Sequence, residues 1–498
     1  MKIIILGLAL LLSSSPLFWR GVGGEVFGQD SIDNSIQQKL ENLAENSRNE
    51  EEDYSELFRT LDFYKKHPIN LNNTRSIQLT ELGLLDDIQI ESLFSHIEKN
   101  GKLLSVYELQ SIDGFVIPTI EKILPYVKVA DLTEEPHTTL KEIIKNGDHE
   151  LILRGQQVLE NQKGFSSIDS AGISNSPNSR YMGSPQKIYS RYRFSYGKNV
   201  SAGVTGEKDA GELFFNQNNK YNYLYYDSLM KGKQKTGFDF YSAHFFIKNI
   251  RFVKALAIGD YQAGFGQGLT TWSGLAYGKS SDAINIKRIS PGIRPYASVD
   301  ENRFMRGFAL TSGTDQFQGT GFFSRKKMDA NIIYPDSSTM DGVYSLQTTG
   351  LHSTPSEIID KDAITKTVFG GNISYRKRKY SFGLTGMHTL FDAALNHSPS
   401  SYNQFEFSGK QLTNFGSDYS LLFHNFNFFG ELAVSTNPDP KGGNTKAPFR
   451  AGGYGYAFLN GCIVSLDPKL SLALLHRNYQ RNFRSLSANA FSESTKPA

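Results

Sequence analysis

Three stretches of this 498-residue sequence carry side chains whose type and spacing could do chemistry. The first is Gly264-Phe265-Gly266-Gln267-Gly268. Glycine-rich runs can cradle a phosphate on their backbone N–H groups, but only in a strand–loop–helix context within a βαβ unit. That context is missing, and glycines repeated beside aromatic strands more often mark bends or close packing. The second is Gly386-Met387-His388-Thr389, where a histidine on a strand could serve a lipid hydrolase. By alternation His388 shares a face with Phe382 and Leu384, and no matching serine motif accompanies it. The third is 261–306, the segment densest in polar groups, with Trp272, Lys279, Asp282, Lys287, Arg288, Arg294, Tyr296, Asp300, Glu301, Arg303 and Arg306. Its glycines and mixed charges suit either a loop folded into a lumen, with its ions paired there, or an ordinary surface loop.

What these stretches exclude is also informative. The ten histidines are scattered, and neither His352 nor His388 has a second histidine at ligand spacing. Cys462 is the single cysteine, which rules out an intrachain disulfide and any cysteine-cluster metal site. No catalytic residue, metal ligand or cofactor site is assigned, and the expectation is a protein that is not an enzyme.

The elements that must position these groups change character along the chain. From residue 148 onward the hydrophobic period is two. Tyr192, Phe194 and Tyr196 alternate with Arg191, Arg193 and Ser195. Phe369, Ile373 and Tyr375 alternate with Gly370, Asn372 and Ser374, and Tyr380, Phe382 and Leu384 with Ser381, Gly383 and Thr385. Phe426, Phe428, Leu432 and Val434 alternate with Asn427, Glu431 and Ser435. One face is aromatic and aliphatic, the other small, polar or charged, over segments of about ten residues. That is the lipid-out, lumen-in pattern of a transmembrane barrel, whose tilted strands need about 9–11 residues to cross the hydrocarbon. Aromatics at 12% and 45 glycines fit the same class. The expected fold is an all-β transmembrane barrel of about 14–16 strands. Tight turns fall at 197–199, 248–249, 376–379, 424–425 and 467–469. Long connections fall at 159–184, 209–235, 261–306, 335–365 and 437–448. The residues expected to line the lumen or a plug are Arg191, Arg193, Lys279, Arg288, Arg294, Arg303, Arg306 and Glu431.

The N-terminal third reads differently. Lys2, an apolar run from Ile3 to Leu12 and Ser13-Ser14-Ser15-Pro16 have the layout of a secretory signal peptide, with a cleavage point after Val26-Phe27-Gly28. Residues 1–28 are assigned to it and 29–67 to a polar helical segment, in which Tyr54, Leu57, Phe58, Leu61 and Tyr64 share a face. Residues 68–129 read as four short helices, with a stop at Asn100-Gly101 and a capping box at Ser105 and Glu108. Residues 130–147 form a charged linker, and 148–498 the barrel. The chain ends Ser494-Thr495-Lys496-Pro497-Ala498 without the terminal aromatic strand of such barrels, from which a truncated or split reading frame is expected.

The run Ile69-Asn70-Leu71-Asn72, the stretch Ser105 to Leu109 and the turns at Gly83 and Gly114 resemble the tandem helix-hairpin-helix domain of bacterial competence DNA receptors. That resemblance covers roughly 62 residues. Together with the 261–306 stretch, it makes the chain similar to Bacteroidetes-type outer-membrane barrel proteins that join a periplasmic helix-hairpin-helix domain to a pore. It implies a DNA-binding fold in which each hairpin turn offers backbone N–H groups to a phosphate. Here each turn keeps one glycine, Gly83 or Gly114, and Asp86 and Asp87 stand where a phosphate would approach. The nearby bases are few, chiefly Lys99, Lys102, Lys122 and Lys128, and the possible DNA or partner contacts are Gly83, Lys102, Gly114 and Lys122. A net charge of +3 gives no basic bias to the whole. The expected partners are therefore outer-membrane lipid and a periplasmic protein, with DNA disfavoured. The expected function is an outer-membrane pore or envelope scaffold whose helical module, in the periplasm, binds a partner or gates the mouth. The alternatives are a DNA-uptake component and an outer-membrane lipid hydrolase.

Overall fold

The computed structural model describes residues 3–6, 55–130, 145–215, 236–272, 286–333, 342–396, 406–437, 454–467 and 470–488, together with 143, 230 and 233. Most of the signal-peptide and linker assignments, residues 29–54 and the chain end at 489–498 lie outside the described residues.

Helix α1 (Ser55–Lys66) opens the helical domain and is followed by α2 (Ser76–Leu82), α3 (Asp87–Asn100) and α4 (Ile117–Ile123), with a 3-10 turn at Val106–Ser111. The residues of helical period face inward. Leu61, Tyr64, Leu79, Leu82, Ile90, Leu93, Leu109, Ile120 and Ile123 form one core, so α1 packs into the same body as the 68–129 segment. Each fully buried aliphatic side chain contributes about 1.5–3 kcal/mol. Pro118 sits in the first turn of α4, where its missing N–H costs nothing.

The Asn70 and Asn72 side chains are clamps. Asn72 donates to the Leu103 carbonyl and accepts from the Leu103 amide, both at 2.9 Å. Asn70 donates to the Ala130 carbonyl at 3.0 Å and accepts from the Ala130 amide at 3.2 Å. Alternation in Ile69-Asn70-Leu71-Asn72 thus sends Ile69 and Leu71 to the core and two amides to tie down distant backbone. The expected capping box at Ser105 does not form. The Ser105 side chain caps nothing, and Glu108 Oε1 instead accepts from the Leu104 amide at 3.1 Å, because the segment winds as a 3-10 turn. The box sits one helix earlier, at Asp86 and Gln89.

A sheet of seventeen strands follows. Its wall comprises β1 (Asp148–Val158), β2 (Lys187–Tyr196), β3 (Val200–Lys208), β4 (Phe240–Ile250), β5 (Val253–Gly264), β6 (Met305–Gly313) and β7 (Phe317–Met328). It continues through β8 (Ile364–Arg376), β9 (Tyr380–Leu395), β10 (Gly409–Phe423), β11 (Phe426–Thr436), β12 (Tyr454–Asp467) and β13 (Leu470–Tyr479). Each of these strands pairs antiparallel with the next in sequence. Four short strands, including Ile3–Leu6 on the edge of β1, attach to this wall.

The barrel is inside-out relative to the helical domain. Its buried side chains include Arg191, Arg193, Thr205, Ser242, Asp260, Asn372, Thr385, Asn414, Asn427 and Glu431. Its exposed ones include Tyr192, Phe245, Phe308, Phe369, Ile373, Phe382, Leu384, Phe415, Phe428 and Leu432. Arg193 is 5% exposed while its neighbour Tyr192 is 43% exposed. A water-soluble fold places these types the other way round. A wall with charge inside and a continuous aromatic and aliphatic belt outside belongs in hydrocarbon. Tight turns join β2 to β3, β6 to β7, β8 to β9 and β10 to β11 at one end. The β4–β5 turn closes around Arg251 and Phe252, three residues along from the expected 248–249, with Asn249 and Arg251 in the left-handed region. The long connections gather at the other end. Among the described residues no helix is long and apolar enough to cross a membrane.

Candidate functional site: the tight-turn mouth of the barrel

The helical domain sits on the tight-turn end, and its contacts there are ionic. Four wall turns and one inserted loop present the partners. On the β2–β3 turn, Lys198 lies 3.2 Å above the centre of the Tyr64 ring. Lys248, near the β4–β5 turn, pairs with Glu81 of α2. On the β8–β9 turn, Arg378 binds Glu91 of α3 at 2.7 Å and Glu98 at 2.9 Å, and Lys379 stands 3.7 Å from Glu91. Asp315 of the β6–β7 turn accepts from Arg75 at 3.2 Å and also pairs with Lys254.

The deepest contact is at Asp87, the first residue of α3. Its carboxylate takes a hydrogen bond from Lys287 and one from Asn427 of β11 at 2.9 Å. Lys287 belongs to the 265–304 connection, yet its ammonium also reaches Ser420 of β10 at 2.7 Å. The Asp87 carboxylate, expected from the resemblance to stand where a phosphate would approach, is bonded to the barrel. Burial opposes charge on Asp87, but the Lys287 ammonium and the Asn427 amide hold its carboxyl below the usual carboxylate range. Glu81 behaves likewise: burial raises it, and Lys248, then Lys198 and Arg294, outweigh that effect.

The same connection is fixed to the wall higher up. The glycine-rich run folds around Glu431, an inward residue of β11. The amides of Gln267, Leu269 and Thr270 donate to its carboxylate at 2.6, 3.1 and 3.1 Å, and the Thr270 hydroxyl at 3.0 Å. Gly266 and Gly268 hold φ of +60° and +88°, the left-handed conformations that turn successive amides toward one point. A side chain at Gly266 would meet the Glu431 carboxylate at 2.7 Å. The run is thus an anion cradle, and its anion is the chain's own carboxylate. Arg288 lies over the Trp272 ring, and its backbone exchanges two hydrogen bonds with the Gln267 side chain.

The remaining candidates are dispersed. Arg191 and Arg193 point inward from β2, at 3.9 and 4.0 Å from Glu150. Arg306 grips Asp260 of β5 with two hydrogen bonds, at 2.7 and 2.9 Å. Arg303 pairs with Asp300 at 3.1 Å. Arg294 is exposed on the short strand Gly292–Pro295, beside β5. Lys279 lies outside the described residues. Gly83 and Gly114 both take left-handed φ; Gly83 ends α2, and the Gly114 carbonyl accepts from Gln89 at 3.0 Å. Lys102 and Lys122 are exposed and make no ion pair among the described residues. His388 accepts from or donates to Thr413 Oγ1 at 2.7 Å and packs against Phe369, on the outer face.

A second cluster went unseen in the sequence. At the long-connection end, His352 lies buried between carboxylates drawn from three connections. Its Nδ1 is 2.6 Å from Asp239 and its Nε2 3.1 Å from Asp329. Glu212 accepts from the His352 amide at 3.0 Å, and Lys361 pairs with Asp239. Burial works against a charged imidazole, but the hydrogen bonds to Asp239 and Asp329 hold it up at about 10. Burial also pushes the Glu301 carboxyl up to about 9. The carboxylates lie 23 to 140 residues from His352, so no local spacing could announce them.

No protein-family model matches this chain, and no curated protein does. Among solved structures it is similar to an anion-selective porin from Comamonas acidovorans, at 11% identity over 60% of this chain and 81% of that one, with a TM-score of 0.24. It is similar to OmpT, an outer membrane protein of Vibrio cholerae, at 9% identity over 67% and 89%, with a TM-score of 0.24. It is also similar to the FrpB iron transporter from Neisseria meningitidis, at 11% identity over 67% and 58%, with a TM-score of 0.22. Scores this low carry no argument, and the barrel rests on its own register and its inverted faces.

Proposed function

We propose that this protein is an outer-membrane β-barrel pore whose periplasmic mouth is gated by its own helical domain. The observation that carries the reading is Asp87, which binds the wall through Asn427 and the inserted connection through Lys287. One carboxylate thus couples three parts that a gate must couple: cover, constriction and wall. Charge complementarity around the rim supports it, with Glu81, Glu91 and Glu98 on the helices facing Lys248, Arg378 and Lys379 on the turns. The connection around Glu431 acts as the constriction, and Arg191 and Arg193 contribute to the field of the lumen. The helical domain is a helix-hairpin-helix fold reused for protein contact. Its phosphate-side carboxylate is spent on the barrel, and Leu104 and Tyr107 stand exposed at 89% and 82% on a surface suited to a periplasmic protein partner.

Single-channel recording of the refolded full chain in a planar bilayer tests this. Asp87→Ala and Lys287→Ala should each raise the open fraction several-fold over the parent. Equal, continuous conductance of the parent and both variants would remove the gate and leave an open pore. The DNA-uptake reading is tested separately, by titrating duplex DNA onto the full chain. Submicromolar binding that weakens steeply with salt would favour it.

A further inference from the structure

The connections at the far end of the barrel hold one group of donors that the proposed gate does not use. We infer that His352, Asp329 and Glu301 form a binding site for one zinc-like divalent cation that clasps the long connections together.

The donor atoms of Glu301, Asp329 and His352 lie within 4.8 Å of one another, close enough to share an ion. A second triad, Glu212, Asp239 and His352, meets the same distance, and its hydrogen bonds decide between the two. Glu212 already accepts from the amides of Asp209 and His352. Asp239 already holds Lys361 and the imidazole Nδ1. On the Nε2 side, Asp329 uses Oδ1 for the Asp362 amide at 2.8 Å and has Oδ2 facing the imidazole. The Glu301 carboxylate accepts no hydrogen bond among the described residues, although it lies partly buried. The imidazole is also oriented as a metal ligand needs. A ligating histidine commonly donates its other N–H to a carboxylate, which fixes tautomer and ring angle. Asp239 at 2.6 Å from Nδ1 fills that role and leaves Nε2 for the ion.

One imidazole nitrogen with two carboxylates suits zinc, which takes His and Asp/Glu at about 2.0–2.2 Å. Calcium would call for six to eight oxygens. The three ligands come from the β5–β6 and β7–β8 connections, and Asp239 precedes β4. Binding would therefore tie three connections into one unit. The bound ion takes the place of the imidazole's second proton and of the proton that burial keeps on the Glu301 carboxyl, and both protons leave to solvent.

The test uses the full chain refolded in detergent, stripped with chelator, incubated with zinc chloride, desalted and assayed for metal. About one zinc per chain is expected to remain. Glu301→Gln and Asp329→Asn, which change little in size, should each lower zinc affinity at least tenfold while the heat-dependent gel shift of the folded barrel is kept. Asp239→Asn should lower it about 10–100-fold, as loss of an orienting carboxylate does. His352→Ala should abolish binding. Wild-type protein that retains no zinc at micromolar concentrations, or Glu301→Gln and His352→Ala proteins that retain as much as the parent, would overturn the assignment. Asp87→Ala should bind zinc normally, so failure of the gate and failure of this site are read apart.

Discussion

The helical domain and the barrel wall draw on the same side chains and place them oppositely. In α3, Leu93 is fully buried, whereas in β9 Leu384 is 61% exposed. In α2 and α3 the carboxylates Glu81 and Asp87 sit at the domain edge, whereas in β11 Glu431 is 4% exposed and fully hydrogen-bonded inside. The difference lies in the solvent each surface meets. Water drives leucine inward in the helical domain. Hydrocarbon has no preference for hiding it, so the wall puts leucine outside and keeps its charges in the lumen.

The largest effects should come from breaking each region by its own rule. Leu93→Ala should cost the helical domain about 2–5 kcal/mol through lost contacts and a cavity, read by urea unfolding of the full chain, with the barrel's gel shift unchanged. Leu384→Arg should cost the barrel about 2–4 kcal/mol near the bilayer midplane, read by folding into liposomes, with the helical domain unaffected. If Leu384→Arg folds as well as the parent, the outer face does not meet lipid.

Between the regions, effects should be smaller. Arg378→Ala removes a guanidinium shared by Glu91 and Glu98 and should loosen docking by about 1–3 kcal/mol, seen as faster proteolysis between the two bodies. Acid should do the same reversibly. Glu81 and Asp87 have folded values below those of the unfolded chain, so their contribution is complete at neutral pH and is lost as pH falls through the lowered values. Docking should hold at pH 7 and weaken below about pH 4, with the barrel still folded. The smallest effect belongs to Lys122→Ala, an exposed site with no ion pair among the described residues, which should change docking by less than about 0.5 kcal/mol in the same proteolysis assay.

What the sequence showed and hid follows the same division. The inverted faces were legible at β2, β8, β9 and β11, because a period of two over ten residues leaves little choice of parity. Asn100-Gly101 and Pro118 marked a helix end and start, since their backbone preferences act locally. The β4–β5 turn was displaced by three residues, and the connection between β9 and β10 was not anticipated. Nothing local marked Asp87 as a partner of Lys287 and Asn427, which are 200 and 340 residues away. The glycines at 264–268 point to bends or close packing and not to a cradle, because the anion comes from β11, 161 residues downstream of Thr270. Ser105 carried a sound capping pattern, but its segment winds too tightly to use it.

The central claim is that the aromatic face of the wall touches lipid. Spin labels at Leu384 and Thr385, adjacent residues of β9 on a Cys462→Ser background, test it directly in liposomes. The label at 384 should be relaxed strongly by oxygen and weakly by a water-soluble nickel chelate. The label at 385 should show little oxygen access. Equal access at both positions, or chelate access at 384, would contradict the account.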